Sequence, residues 1–254
     1  MTGKSRKNKK LLVFFTVLVL GFAAVFIYYA YDYYQWWQDG QAAQEQAEMV
    51  QEIFTSDLPS PIAFETAVEL THNTDIVAYI SILGTKVGNV VVQGEDNAFY
   101  LYRDMFGNQN VNGSLFLDYR NSPFFTDENT IIYGHNMNNG TMFHNLRYFV
   151  GENRTAFVEE HPYITLILPG EVLVYEIFSA FVTTVDFNYI QTSFAPGEFA
   201  QLVEELNSRD ILNIAPEATG EDQVLLLSTC TNISRDTRVV VAGRLIERIR
   251  TENA

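Results

Sequence analysis

The chain has 254 residues, with 16 Lys and Arg, 31 Asp and Glu, a single Cys and a formal charge of −15 at pH 7. Five of the basic residues precede Asp32 and all acidic residues lie at or after it, leaving 11 basic against 31 acidic residues, a charge of −20. This charge excludes a nucleic-acid-binding surface, which must be basic, and a basic patch that grips anionic lipid.

The N-terminus combines a short basic segment with a long apolar one. Residues 1–10 contain no acid, and Leu11–Tyr31 contains no charge at all. The second segment is long enough to cross a bilayer as a helix and longer than the apolar core of a cleavable signal peptide. It therefore predicts an uncleaved signal anchor at residues 11–31. An aromatic cluster typical of a membrane interface overlaps its end: Tyr28, Tyr29, Tyr31, Tyr33, Tyr34, Trp36 and Trp37.

The basic residues also predict an orientation. Positive segments stay on the cytoplasmic side, so residues 1–10 form a cytoplasmic tail and the chain after the anchor is extracellular. We thus expect a single-pass protein of the cell membrane. Residues 32–56 are expected to form a stalk or a helix that packs on the domain, because Gln41–Phe54 has apolar residues at helical spacing. Residues 57–254 are expected to form one extracellular catalytic domain.

From Asp75 onward the sequence predicts eight strands separated by turns. We expect a mixed, mainly β domain built on a closed or nearly closed eight-stranded barrel. Short helices are predicted at residues 66–72, 141–150 and 154–160, and a longer one at Gly197–Ser208 with four apolar residues on one face. The predicted strands are Ile76–Leu83, Val87–Gln93, Ser114–Leu117, Thr130–Gly134, Tyr163–Leu168, Val172–Thr183, Val224–Thr229 and Arg238–Leu245.

The single cysteine, Cys230, ends one of these strands, and Arg238 begins the next. Exported proteins generally pair their cysteines or lack them, so an unpaired thiol indicates a reactive role. The alternative is a small, inert core residue. His135 also ends a predicted buried strand, beside an Asn- and Gly-rich loop, whereas His72, His144 and His161 are predicted to be surface or capping residues.

His135, Cys230 and Arg238 together suit nucleophilic catalysis. A cysteine thiolate is the nucleophile, and a nearby imidazolium lowers the pKa of such a thiol. The histidine then protonates a leaving amine, and the arginine donates hydrogen bonds to the substrate carbonyl and its developing oxyanion. This chemistry requires neither a cofactor nor a metal ion.

Several motifs resemble those of sortases, the membrane-anchored cysteine transpeptidases of Gram-positive bacteria. They are Leu227-Ser228-Thr229-Cys230 with Arg238 on the next strand, and Tyr133-Gly134-His135-Asn136-Met137 upstream. Further stretches are similar to class B sortases: residues 91–94, 96–102, 113–120 and 161–165, with the helix before the cysteine strand. The resemblance extends from about Asp75 to Leu245.

The resemblance implies a β-barrel with N-terminal helices that cleaves the C-terminal sorting motif of surface proteins after Thr, before Gly or Asn. A thioester on Cys230 is then transferred to an amine of peptidoglycan or its precursor. Class B motifs often begin Asn-Pro. Motif positions place the substrate groove at Asn97, Leu101, Tyr133 and Ser228, and an oxyanion-hole N–H at Thr231.

Two departures and three alternatives accompany this interpretation. Val90 replaces a proline found in many relatives, and Thr231 replaces a glutamate found in some. The alternatives are a cysteine peptidase that hydrolyses the same thioester, a pilin-type protein ligase and a non-catalytic peptide-binding domain. The intact set His135, Cys230 and Arg238 speaks against the non-catalytic one.

Overall fold

The computed structural model describes residues 3–55, 61–137, 139–214, 217–230 and 236–250. The chain divides into two compact units, Met1–Ala42 and Ala43–Ala254. Helix α1, Gly3–Thr55, contributes to both units. Within the first unit the apolar side chains from Leu11 to Trp37 are exposed. In the described part of the chain, this is the one helix long and apolar enough to cross a membrane.

The second unit is built on a closed barrel of eight strands in the described residues, in the order β1-β2-β3-β4-β7-β8-β6-β5. Two neighbouring pairs are parallel, β2 with β3 and β4 with β7. The others are antiparallel. The strands are β1 Ile76–Ser81, β2 Gly88–Val92, β3 Leu115–Leu117, β4 Asn129–Tyr133, β5 Tyr163–Leu168, β6 Glu171–Thr184, β7 Val224–Cys230 and β8 Thr237–Arg250.

All eight predicted strands are confirmed; Tyr163–Leu168 has the predicted bounds, and the other seven have shifted ends. The largest difference is β8, which continues to Arg250 because it pairs with β6 down to Glu171. Salt bridges from Arg248 and Arg250 to Glu171 accompany this extension. The expected closed, mainly β architecture is thus present.

Residues 224–229 of β7 and 239–242 of β8 are buried on both faces. Leu225 and Leu227 pack inside the barrel, whereas Val224 and Leu226 pack in a second cluster with helix α4, Glu198–Ser208, which covers the outer face. A strand covered on both sides gains from apolar residues at every position. This explains the uninterrupted apolar run that ends at the cysteine.

Two shorter helical elements lie between β4 and β5. Helix α3, Arg154–Glu160, has the predicted bounds. The helix expected at residues 141–150 is a 3₁₀ helix, His144–Val150, and thus begins later than predicted. Phe143, Leu146 and Phe149 are fully buried in the barrel core, and their spacing of three residues matches the 3₁₀ repeat.

A third apolar cluster lies where the end of α1 and helix α2, Pro61–Thr71, pack against the barrel. Phe54 is buried there, stacked on Tyr79 with ring centroids 4.4 Å apart and edge-on to Phe64 at 5.2 Å. Helix α2 begins at a proline, whose fixed φ suits the first helical position. The end of α1 is therefore part of the second unit's core.

Replacing Phe54 by alanine should destabilise this unit by about 3 kcal/mol, because a buried aromatic ring and its two ring contacts are lost. Met49→Ala is the matched control, since Met49 lies on the same helix but is 40% exposed. Urea unfolding of the full chain in detergent micelles measures both. Equal, small losses for the two variants would contradict the packing of α1 described here.

Candidate active site

The strand pairing brings the predicted catalytic positions to one edge of the barrel. Strands β4 and β7 are parallel, with Tyr133 opposite Ser228, so both strands end at this edge. Strand β8 is antiparallel to β7 and therefore begins there, with Arg238 opposite Cys230. His135 follows β4 by two residues. The end of β4, the end of β7 and the start of β8 thus meet.

His135 is held through both its backbone and its ring. Gly134 allows the close approach, since a Cβ there would lie 2.3 Å from a Leu115 methyl carbon. The His135 carbonyl accepts a hydrogen bond from the Phe143 N–H at 3.0 Å. The ring Nε2 lies 2.9 Å from the carbonyl oxygen of Leu101. Because a carbonyl only accepts, Nε2–H donates.

A cavity of about 290 Å³ lies at this edge. Four of the five predicted substrate-groove residues line it, together with His135 and Arg238. The fifth, Thr231, lies outside the described residues. The lining residues are Asn97, Leu101, Phe116, Tyr133, Gly134, His135, Ser228, Thr229 and Arg238.

The structure places Cys230 by its backbone, as the last residue of β7 directly opposite Arg238. Arg238 is half-buried and donates from Nη1 to the Thr237 carbonyl at 3.0 Å. One arm of the guanidinium is thereby fixed to its own strand at the cavity edge.

The segment that carries Leu101 is a short 3₁₀ helix, Tyr100–Tyr102. It packs closely on Gly113, where φ is +57° and a Cβ would lie 2.6 Å from the Leu101 oxygen. The Ser114 N–H donates to the Tyr100 carbonyl at 3.1 Å. Only glycine combines this φ with this contact, so Gly113 helps fix the carbonyl that holds His135.

The lining residue Ser228 is bonded to the connection between β6 and α4. Ser228 is 2% exposed, and its Oγ lies 2.8 Å from the hydroxyl of the buried Tyr189. The hydroxyl of Thr229 is also buried and has no hydrogen-bond partner among the described residues. Tyr189 was not a candidate from the sequence.

A buried carboxylate, Asp118, lies beneath the predicted groove residues. It accepts hydrogen bonds from Asn97 Nδ2 at 2.9 Å and from the Tyr133 hydroxyl at 3.0 Å. Arg120 binds it through Nε at 2.8 Å and Nη2 at 2.7 Å. Sequence analysis assigned no role to Asp118 or Arg120. The available signal was an acid directly after an apolar strand with an arginine two positions later.

These contacts set the ionisation of the group. Burial by itself raises the pKa of the Asp118 carboxyl, but the hydrogen bonds from Arg120, Asn97 and Tyr133 outweigh it, and the pKa is lowered from its ordinary value. Burial, followed by the Asp118 charge, raises the pKa of the Tyr133 hydroxyl well above its ordinary range. Asp118 is therefore a carboxylate and Tyr133 a protonated donor at neutral pH.

Comparison with known proteins agrees with this geometry. The sortase domain model matches residues 80–246. The chain belongs to the sortase family. Sortase B of Listeria monocytogenes is 34% identical over 183 residues, which cover 69% of this chain and 72% of that protein.

Solved sortase B structures share the fold. The Staphylococcus aureus sortase B–substrate complex superposes with a TM-score of 0.69 at 30% identity, covering 82% of this chain and 94% of that one. A sortase B complexed with Gly3 gives 0.69 at 29% identity, covering 82% and 95%. The expected class B sortase is confirmed, and the chain is a cysteine transpeptidase of the sortase B type. Among the described residues, no three His, Cys, Asp or Glu cluster as metal ligands would.

The lowered pKa of Asp118 predicts a pH-dependent contribution to stability. A carboxyl with a depressed folded-state pKa stabilises fully above its unfolded pKa of about 3.9 and loses that contribution as the pH falls through the folded value. Asp118→Asn should cost about 1–3 kcal/mol at pH 7, and the difference from wild type should shrink below about pH 3.9. Urea unfolding from neutral to acid pH measures it; a difference constant with pH would refute the charge assignment.

Proposed function

We propose that this sortase cleaves the C-terminal sorting motif of surface proteins with Cys230 as nucleophile, His135 as general acid and base, and Arg238 as donor to the reacting carbonyl. The observation that carries the proposal is the single barrel edge at which β4, β7 and β8 meet. His135 and Arg238 line one cavity there, and the register pairs Arg238 with Cys230.

In the first half-reaction the Cys230 thiolate attacks the carbonyl carbon of the threonine in the motif. The C–N bond breaks, the departing amine takes a proton from imidazolium, and the acyl group remains on sulfur as a thioester. In the second half-reaction an amine attacks the thioester carbonyl, the C–S bond breaks, and His135 accepts the amine proton. The thiolate and the imidazolium are thereby restored.

The hydrogen bond from His135 to Leu101 supports this proton transfer. Since Nε2–H is engaged with the Leu101 carbonyl, the proton exchanged with the substrate amine moves through Nδ1. The fixed ring also needs no reorientation between the two half-reactions. Leu101 thus has two proposed roles. It lines the groove, and its carbonyl sets the tautomer of the His135 imidazole.

The substrate groove is proposed to consist of Asn97, Leu101, Tyr133 and Ser228, with the Thr231 N–H in the oxyanion hole. The first four line the same cavity as His135, which supports the assignment. A motif beginning Asn-Pro and cleaved between Thr and Gly or Asn is the proposed donor. The acceptor is proposed to be an amine of peptidoglycan or its precursor, in line with the sortase B solved with Gly3.

The proposed cellular arrangement follows from α1. Residues 11–31 would anchor the protein in the cell membrane, with residues 1–10 in the cytoplasm and the catalytic domain outside. The proposed domain boundaries are residues 32–56 for a connecting and packing segment and 57–254 for the catalytic domain. One exposed apolar helix long enough to cross a bilayer supports the anchor.

The transpeptidase assignment predicts two different products from one donor peptide. We expect the full chain in detergent micelles to cleave Asn-Pro-type peptides after Thr, and added amine to divert the product from free carboxylate to amide. Mass spectrometry identifies both products across a panel of Gly-, Lys- and diaminopimelate-type amines. Cys230→Ala and His135→Ala should be nearly inactive, whereas His72→Ala, at an exposed position, should be normal.

The outcomes separate the alternatives. Carboxylate product alone, across every amine, would favour the hydrolytic peptidase, and an amide formed only with a protein lysine would favour the pilin-type ligase. Normal cleavage by Cys230→Ala would overturn the nucleophile assignment.

Arg238 is predicted to act through the geometry of its guanidinium. Arg238→Lys keeps the charge but loses the planar fork, so its turnover should fall nearly as far as that of Arg238→Ala, about 100- to 1000-fold. The loss should be in kcat, because the interaction is made in the transition state. Alkylation of Cys230 by a small neutral reagent should change little in either variant.

Steady-state kinetics and the alkylation rate are measured on the same three proteins. Near wild-type turnover of Arg238→Lys would instead make Arg238 a simple counter-charge to the thiolate.

A further inference from the structure

We propose that Asp118, held by Arg120, is a positioning residue for the substrate cavity. It fixes which atoms of Asn97 and Tyr133 donate hydrogen bonds and which accept them. The inference rests on the proposed function, because it concerns how the proposed groove recognises its peptide. Asp118 itself does not line the cavity; it acts through the two side chains that do.

The carboxylate is surrounded by donors. Asp118 is 0% exposed. Its Oδ2 accepts from Asn97, Tyr133 and Arg120 Nη2. Its Oδ1 accepts from the Arg120 N–H at 3.0 Å and from Arg120 Nε at 2.8 Å. Since an ionised carboxylate can only accept, every one of these partners is compelled to donate.

This has a direct consequence for Tyr133. A phenol has one hydrogen, and the hydrogen of Tyr133 is committed to Asp118. The Tyr133 oxygen can therefore only accept from any further partner, which must be an N–H or O–H of the peptide. Without the carboxylate, the same hydroxyl would rotate and offer a donor as readily as an acceptor.

Asn97 is fixed in a similar way, at both ends of its amide. Its Nδ2 donates to Asp118 at 2.9 Å, and its Oδ1 accepts from the Tyr119 N–H at 3.0 Å. Exchanging the oxygen and nitrogen of the amide would break both bonds. Asp118 and Tyr119 thus determine that Nδ2 of Asn97 donates and that Oδ1 accepts.

Arg120 joins Asp118 to the connection between β6 and α4. Its Nη2 donates to the Ile190 carbonyl at 2.9 Å as well as to Asp118. Ile190 adjoins Tyr189, whose hydroxyl bonds Ser228. Arg120 thus ties Asp118 to the segment that carries Tyr189, the partner of Ser228.

Stability alone does not explain an ion pair at this place. Taking the Asp118 carboxylate out of water is costly, and the side chain of its partner Arg120 remains 36% exposed. An apolar residue in place of Asp118 would leave the Tyr133 hydroxyl free to rotate and the Asn97 amide held by the Tyr119 N–H alone. A carboxylate only accepts hydrogen bonds, so it requires both side chains to donate to it.

The test is Asp118→Asn in the full chain in micelles. The asparagine offers one acceptor oxygen and one NH₂ donor. Asn97 and Tyr133 are then no longer both required to donate to residue 118. We expect KM for the donor peptide to rise about five- to tenfold, the effect of weakening its hydrogen bonds to the neutral Asn97 and Tyr133 side chains. We expect kcat to change less than about threefold, because such a loss affects ground-state and transition-state binding alike. Alkylation of Cys230 by a small neutral reagent should be unchanged.

A matched control separates positioning from folding. Asp104 is a second buried carboxylate, 5% exposed, which accepts from the Phe106 and Asn108 N–H groups and from Gln46 Nε2. None of its partners lines the cavity. Asp104→Asn should lower Tm without raising KM, whereas Asp118→Asn should do both.

A double-mutant cycle tests the route of the effect. Tyr133→Phe removes the hydroxyl that Asp118 orients, so combining it with Asp118→Asn should raise KM by clearly less than the product of the two single effects. Arg120→Lys, at a side chain 36% exposed, is the milder variant should Asp118→Asn fail to fold. It should raise KM in the same direction, since lysine loses the two-point contact.

The outcomes are distinct from those of the proposed function. A wild type that neither cleaves nor transfers would overturn that function and this inference with it. An active wild type, with folded Asp118→Asn and Arg120→Lys variants that keep the wild-type KM, would overturn the inference alone. So would a loss confined to kcat, multiplicative effects in the cycle, or a KM change in Asp104→Asn as large as that in Asp118→Asn.

Discussion

The parallel pairing of β4 with β7 is the constraint on which the catalytic edge depends. Parallel strands end at the same edge of a sheet, so this pairing brings the residues after Tyr133 beside those at the end of β7. The antiparallel return of β8 then places Arg238 opposite Cys230. Any other neighbour for β7 would separate His135 from the cysteine strand, whatever the local sequence at either position.

The barrel makes this edge rigid. Strands β7 and β8 are packed on one face by the barrel core and on the other by α4 and the connection that precedes it. Such strands lose packing on both faces if they move, so the residues at their ends are held with little freedom. Phe143, just before the 3₁₀ helix His144–Val150, contributes as well, because its ring lies in the core and its N–H donates to the His135 carbonyl.

Polar contacts, by contrast, organise the cavity wall. The carbonyl of Leu101 sets the tautomer of His135, and the carboxylate of Asp118 accepts hydrogen bonds from Asn97 and Tyr133, which line the cavity. Each is an acceptor placed against donors in a buried setting, where an unsatisfied partner would be costly. The hydrophobic barrel thus brings the proposed catalytic residues to one edge, and a smaller set of buried acceptors holds the donors around them.

The sequence by itself determined the elements and the positions of the proposed catalytic residues. Apolar runs bounded by turn residues located all eight strands, because burial on one or both faces leaves a pattern in composition. It also located the apolar face of α4. The close relation of Cys230 to Arg238 was predictable too, since the two residues flank one short loop between neighbouring strands.

Only the tertiary structure decided the contacts between distant segments. The His135 ring meets the Leu101 carbonyl 34 positions away, Asn97 meets Asp118 over 21, and Arg120 meets Ile190 over 70. The 3₁₀ form of residues 144–150 likewise followed from the core that Phe143, Leu146 and Phe149 fill. A periodic pattern records that a residue is buried but not against which partner. That choice depends on strand order, closure of the barrel and the donors that happen to surround a buried acceptor.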